Sequence, residues 1–187
     1  LGLDFGYVDL EDGMPVPTAN TGDQMLYLLG LARARMIDPE EQFKDSDFEF
    51  SWFEFKRFID TLKEYKDKRG LVDFSDMIDM FIESGKPLKI DVAIIDEAQD
   101  LSKQQWEMAK IAIGSASHVY IAGDDDQAIF KWSGADVDSF LELKGKKKVL
   151  DHSFRLPKSI HTLAGKITNR ISKRFNKKWS PRDDEGS

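Results

Sequence analysis

Two stretches of the chain place carboxylates where phosphate chemistry can use them. The first is Val92-Ala93-Ile94-Ile95-Asp96-Glu97-Ala98-Gln99-Asp100, a short apolar run that ends in two adjacent acids. At the end of a buried strand, the first acid can hold magnesium through its water shell, and the second can polarise the water that attacks a terminal phosphate. A strand that merely ends in solvated acids would read the same in isolation. The second stretch is Ala122-Gly123-Asp124-Asp125-Asp126-Gln127, continuing through Phe130, Lys131, Trp132, Ser133 and Gly134 to Ala135. Three consecutive Asp repel one another and gain nothing in a core, so their placement predicts a cation or nucleotide nearby. Gln127 can touch a phosphate, while Phe130 and Trp132 just beyond it can stack on bases. Joined by a short loop, they would couple nucleotide state to grip on nucleic acid. The two aromatics could equally anchor the loop to the core.

The elements that must position these residues follow from periodicity. Residues 90–95 and 118–122 are short apolar runs, each ending in acidic residues, with a helical stretch over 102–113 between them. Strand, helix, strand with polar residues at both strand ends predicts an α/β unit whose site lies at the carboxyl edge of a parallel sheet. A third strand is expected at 148–150, then a helix opening after Pro157 and running to about residue 174. Upstream, residues 23–36 carry Met25, Leu28, Leu29 and Ala32 at helical spacing, with Pro39 as a stop signal. Residues 51–68 form a second helix, with Trp52, Phe55, Phe58, Ile59 and Leu62 on one face and Gly70 as its cap. Aromatics at that spacing are read as core rather than as a stacking platform. A third helix spans 74–84, behind Asp73 as N-cap and ahead of Gly85 and Pro87. Residues 1–20 read as irregular chain and 180–187 as a polar tail that frays.

Composition bounds the rest. With 187 residues, 41% hydrophobic and 33% charged, the chain can hold one compact domain and carries no apolar run long enough for a membrane span. The absence of cysteine excludes disulfides, thiolate metal sites and a thiol nucleophile; any metal must be held by oxygen. This fits a reducing interior, and a cytoplasmic location is expected. The chain opens on Leu1 with nothing resembling a signal peptide, and is expected to be an internal piece of a longer polypeptide. The formal net charge of -7 is unevenly spread: residues 144–178 hold twelve Lys or Arg against Asp151 alone, about +11, leaving about -18 elsewhere. The basic stretch is either a solvated face or a nucleic-acid contact. His118, His152 and His161 lack carboxylates at ligand spacing and read as structural or surface residues.

Asp96-Glu97-Ala98-Gln99-Asp100 resembles the DExQD form of helicase motif II, and residues 123–135 resemble motif III of UvrD-like helicases. Leu150-Asp151-His152-Ser153-Phe154-Arg155-Leu156-Pro157 is similar to motif IV, where an aromatic-Arg pair precedes a helix. Leu71-Val72-Asp73-Phe74-Ser75-Asp76-Met77-Ile78 resembles the segment by which the family's chain re-enters the motor domain from an inserted helical subdomain. On these four matches, in family order, the chain resembles superfamily 1 DNA helicases of the UvrD/Rep/PcrA type. The resemblance implies that Asp96 coordinates magnesium, that Glu97 is general base, and that Gln127 senses the terminal phosphate of ATP. It also implies that Arg155 reaches that phosphate as a finger, that Phe154 stacks on adenine, that Asp124 lies at the nucleotide site, and that Phe130 and Trp132 meet the bases of single-stranded DNA. Lys166, Arg170, Lys173, Arg174, Lys177 and Lys178 would then fall near a groove that tracks the strand.

The pattern departs from the family in places. The phosphate-binding loop GxxxxGK is not among these residues, and neither are the later motifs, so the piece alone is expected to be inactive. Phe130-Lys131-Trp132-Ser133-Gly134 stands where Tyr-Gly-Trp-Arg-Gly is frequent, and Ser153-Phe154-Arg155-Leu156 where Asn-Tyr-Arg-Ser is common. The expected fold is α/β, a RecA-like P-loop NTPase motor domain with a parallel sheet and an inserted helical subdomain. Residues 1–70 would be the insertion, 71–178 the core with motifs II to IV, and 179–187 a disordered tail. The expected parent uses ATP and Mg2+, moves on single-stranded DNA and unwinds duplex, with 3′ to 5′ polarity favoured by resemblance. Replication or repair proteins are conceivable partners. Alternatives are a non-catalytic DNA-binding module that kept the fold, a RecB/AddA-type helicase-nuclease motor, and a generic P-loop ATPase, which would not need Trp132 after Gln127.

Overall fold

The computed structural model describes residues 20–186; the irregular stretch expected at the amino end lies, apart from Asn20, outside them. Among the described residues the α-helices and β-strands are, in chain order, α1 (Thr21–Arg35), α2 (Pro39–Lys44), α3 (Trp52–Arg69), α4 (Phe74–Ser84), β1 (Val92–Ile95), α5 (Lys103–Ala112), β2 (His118–Ile121), α6 (Val137–Leu141) and α7 (Lys158–Thr168).

Local chemistry sets the helix ends. Ser51, Asp73 and Ser102 each accept the N–H three residues on, and Glu54, Asp76 and Gln105 reach back to the cap N–H, so α3, α4 and α5 all open with reciprocal capping boxes. α3 and α4 close on Gly70 and Gly85 at φ 62° and 60°, a left-handed conformation that glycine adopts without a Cβ clash. α1 ends at Arg35, ahead of Pro39 as expected, and Pro39 is also the first residue of α2. Its missing N–H is one that a first helical turn leaves unused, and the Asp38 carboxylate accepts from Glu40 N–H at 2.7 Å.

The aromatic stripe of α3 is core. Phe55 and Phe58 are fully buried and cluster with Met25 and Leu28 of α1 and with Phe50, while Phe43, Phe48, Trp52, Ile59 and Leu62 pack around them. Burying each such ring contributes about 1.5–3 kcal/mol. α1 also lies against α4 and α5, and Arg33 at its end binds Asp76 at 2.8 Å and Asp79 at 2.7 Å on α4.

β1 and β2 pair in parallel, Val92 opposite His118 through Ile95 opposite Ile121, with α5 as the crossover. The sheet differs from expectation in two ways. Residues 148–150 form no strand: among the described residues the sheet has two strands, and Leu150 is 82% exposed with no neighbouring strand to satisfy its backbone. On β1 Ala93 is buried while Val92 and Ile94 are exposed, and on β2 both Val119 and Tyr120 are exposed, so the strands are less covered than the buried pair expected.

The carboxyl end differs as well. α7 stops at Thr168, short of the expected 174, and the chain then turns back toward β2. The tail is held rather than frayed over its described length. Ser153 N–H donates to the Ser180 carbonyl at 2.8 Å, Arg182 N–H to Leu156 at 2.9 Å and Lys158 N–H to Asp184 at 3.1 Å. No helix among the described residues is long and apolar enough to cross a membrane.

Candidate functional site

β1 ends at Ile95, and the two acids that follow leave the sheet at once. Asp96 is exposed and accepts Glu97 N–H at 2.9 Å. Glu97 has φ 50° and ψ 38°, a left-handed conformation that costs a residue bearing a Cβ about 1–2 kcal/mol. That conformation starts the 3-10 turn Ala98–Asp100 and is pinned by Ala98 N–H donating to the Ala122 carbonyl at 3.0 Å. The end of β1 is thereby fastened to the end of β2.

Gln99, given no role on sequence grounds, sits at the centre. It is 1% exposed. Its Nε2 donates to Glu97 Oε2 at 2.8 Å and to Asp100 Oδ2 at 3.0 Å, and its Oε1 accepts Asp124 N–H at 2.9 Å. Gln127 Nε2 in turn donates to Asp124 Oδ2 at 2.6 Å. Glu97, Gln99, Asp124 and Gln127 thus form one continuous hydrogen-bonded chain across the two loops.

Beside the three Asp, where a cation or nucleotide is expected, the structure places basic side chains of the protein itself. Lys177 Nζ contacts Asp124 Oδ1, Asp125 Oδ1 at 2.6 Å and Asp126 Oδ2 at 3.2 Å; Arg174 Nη2 binds Asp126 at 2.6 Å, and Phe175 N–H donates to Asp125 at 2.7 Å. Burial works against the charge on Lys177, but the Asp124 and Asp125 carboxylates outweigh it and hold its pKa above the usual lysine value. Burial would likewise raise Asp124, yet the amide of Gln127 and the ammonium of Lys177 hold its carboxyl below the usual range. The six basic residues placed near a strand-tracking groove divide in two. Arg174 and Lys177 are engaged with the triplet and Lys173 with Asp138 at 2.8 Å, while Lys166, Arg170 and Lys178 remain exposed. The charge asymmetry pointed to the basic stretch as a whole, which complements three acids some fifty residues upstream, but did not single out Lys177.

The aromatic loop follows directly. Phe130 and Trp132 lie on the 3-10 turn Phe130–Ser133 with ring centroids 6.5 Å apart; Phe130 is half-buried and Trp132 is 46% exposed. α1 supports this loop: Tyr27 Oη donates to the Trp132 carbonyl at 2.9 Å, and Gly134, at φ 100°, passes so close that a Cβ there would meet Ala34 Cβ at 2.9 Å. Asp136 N–H donates to the Leu101 carbonyl at 2.8 Å, tying the loop's end to the stretch after Glu97.

Phe154 and Arg155 stand apart from this chain of contacts. Phe154 is 84% exposed, so it is not core; its ring meets His152 edge-on at 4.6 Å. Arg155 is exposed. His161 packs edge-on against Trp179 at 4.3 Å and His118 is exposed. The donors fit a magnesium-nucleotide: Asp96 offers a hard oxygen at an exposed strand end, and such ions take one or two carboxylates with the substrate's phosphates supplying the rest. The Asp124–Asp126 triplet, by contrast, is already neutralised in large part by Lys177 and Arg174.

Comparison with known proteins places this arrangement. The family model described as UvrD/REP helicase N-terminal domain matches residues 14–148. The chain is 28% identical over 149 residues to the ATP-dependent DNA helicase Rep of Buchnera aphidicola subsp. Baizongia pistaciae, covering 72% of this chain and 22% of that protein. It is 31% identical over 133 residues to DNA helicase II of Haemophilus influenzae, covering 64% of this chain and 18% of that protein. Over 47 residues, 25% of this chain and 7% of the relative, it is 43% identical to the ATP-dependent DNA helicase Rep of Escherichia coli. The chain thus spans about a fifth of the length of the first two of these curated relatives.

Proposed function

Since this chain belongs to the UvrD/REP helicase N-terminal domain family, we propose that it is part of an ATP-dependent DNA helicase that translocates on single-stranded DNA and unwinds duplex, with 3′ to 5′ polarity. The fold would be a RecA-like motor, with residues 1–70 as its helical insertion and 71–178 as its core. One observation carries the reading: the hydrogen-bonded chain from Glu97 through Gln99 and Asp124 to Gln127, with Phe130 and Trp132 on the same loop. In this reading a hydrolytic carboxylate is joined by hydrogen bonds to a phosphate-sensing amide, and the base-stacking rings follow a few residues on in the same loop.

In this reading Asp96 holds magnesium, which with ATP bound would neutralise developing phosphate charge. Glu97, held by Gln99 in its left-handed turn, orients and deprotonates the attacking water. Gln127, its amide held by Asp124, meets the terminal phosphate, and Arg155 stabilises transition-state charge from the segment before α7. Phe154, exposed and free to stack, takes the adenine; Phe130 and Trp132 take DNA bases. Closure around the phosphate moves the 127–134 loop, and α1 transmits that movement through Tyr27. The isolated piece lacks a phosphate-binding loop and would not turn over.

The test is strand displacement by the intact parent polypeptide on a duplex with a 3′ single-stranded tail, with ATP and magnesium, beside a Glu97→Gln version. Unwinding by the parent and none by the variant is expected. DNA binding without unwinding or hydrolysis would instead favour a non-catalytic module.

A further inference from the structure

Lys177 lies some fifty residues beyond the loop it holds, and its geometry exceeds what charge neutralisation requires. Its side chain is 12% exposed and its single nitrogen meets carboxylates of all three Asp. Asp124 is engaged on every side: Oδ1 by Lys177 and by the Asp126 N–H at 3.2 Å, Oδ2 by Gln127 Nε2 at 2.6 Å, the backbone N–H by Gln99 Oε1 at 2.9 Å, and the carbonyl by the Gln127 N–H at 2.9 Å. Lys177 and the Asp126 N–H together hold Oδ1, and that orientation presents Oδ2 to Gln127.

The segment bearing Lys177 is itself anchored. Ser180 N–H donates to the Asp151 carbonyl at 2.9 Å, and Ser153 N–H donates to the Ser180 carbonyl at 2.8 Å. The stretch that carries Phe154 and Arg155 is thereby tied, three residues from Lys177, to the loop that carries Gln127. We propose that Lys177 is a positioning residue for Gln127, acting through Asp124, and that it links the Arg155 segment to the phosphate-sensing loop. This rests on the reading of Gln127 as the phosphate sensor. Without the ammonium, the three adjacent carboxylates keep Arg174 as their one side-chain cation among the described residues, their repulsion turns Asp124 away, and Gln127 Nε2 loses its acceptor.

The experiment is a double-mutant cycle on the intact parent, measuring ATP hydrolysis stimulated by single-stranded DNA for Lys177→Met, Gln127→Ala and the pair. Lys177→Met should lower kcat about tenfold with the KM for ATP little changed, and should add nothing in the Gln127→Ala background. Lys177→Arg keeps the charge but not the three-way nitrogen; it is read in the same cycle and decides the matter if Lys177→Met does not fold. Losses that multiply, or a kcat at the parent's level, overturn the proposal, because a merely structural lysine would act alike in both backgrounds. Glu97→Gln runs alongside: full hydrolysis by that variant would sink the motor reading itself, whichever way the cycle came out.

Discussion

The side-chain amide of Gln99 donates to the Glu97 carboxylate at 2.8 Å while its carbonyl accepts the backbone N–H of Asp124 at 2.9 Å. One buried residue therefore orients the proposed base and fastens it to the second loop. Replacing it with Leu removes both contacts at nearly constant volume and leaves the Asp124 N–H without its partner. Gln99→Leu in the intact parent should lower kcat for ATP by about 10–100-fold, with affinity for single-stranded DNA unchanged. Steady-state kinetics beside a DNA-binding titration would show it; wild-type kcat would remove Gln99 from the account.

Gly123 lies in the same contact. A Cβ there would fall 2.6 Å from Gln99 Oε1 and 3.0 Å from the ring of Phe140. Gln99 is held by three hydrogen bonds and cannot yield cheaply. Gly123→Ala should destabilise the protein by about 1–3 kcal/mol, read as a lowered denaturation midpoint, and reduce hydrolysis together with it.

Acid should loosen the junction between α1 and α4. Burial tends to raise Asp76, but hydrogen bonds from Lys66, the Asp73 N–H and Arg33 hold its pKa at about 2. A carboxylate lowered on folding contributes stability that is fully present above its unfolded value, near 4, and is lost as pH falls through about 2. Thermal midpoints measured between pH 5 and 2 should fall across that window, and Asp76→Asn should flatten the fall. An unchanged slope in the variant would assign the acid sensitivity to other groups.

Trp132 offers a separate handle on DNA. At 46% exposure its ring is half open to solvent, so Trp132→Ala should lower the melting temperature only modestly, with the protein still folded. Affinity of the intact parent for single-stranded DNA should fall by about 1–3 kcal/mol, the worth of one stacked base. Retained affinity would make this aromatic an anchor for the loop and nothing more.

Most helices were legible in the sequence because their signals are local. Ser51, Asp73 and Ser102 announce helix starts, Gly70 and Gly85 announce ends, and the spacing of Phe55 and Phe58 with their neighbours marks a buried face. The parallel unit of β1, α5 and β2 was readable from two apolar runs ending in acids. Residues 148–150 carried the same kind of signal and formed no strand, because a strand exists only with a partner and periodicity does not supply one. Pro39 was ambiguous by nature, as the same ring that stops one helix starts the next. At the site, Asp96, Glu97, Asp124 and Gln127 stood out by type and spacing, and the structure links all of them except Asp96 by side-chain hydrogen bonds through Gln99. Lys177 was hidden because its significance lies in a contact across some fifty residues, and no local pattern encodes such a pairing. The acidic triplet asked for a cation; the sequence could not say that the cation was a lysine.

The central claim is that Glu97 is the base of a DNA-driven ATP hydrolase, and the most direct measurement is the ATP hydrolysis rate of the intact parent with and without single-stranded DNA, beside Glu97→Gln. The account predicts severalfold stimulation by DNA, and for the variant a loss of at least about 100-fold in kcat with nucleotide still bound. Hydrolysis by Glu97→Gln at the parent's rate, or a parent that binds DNA and hydrolyses nothing, would contradict it.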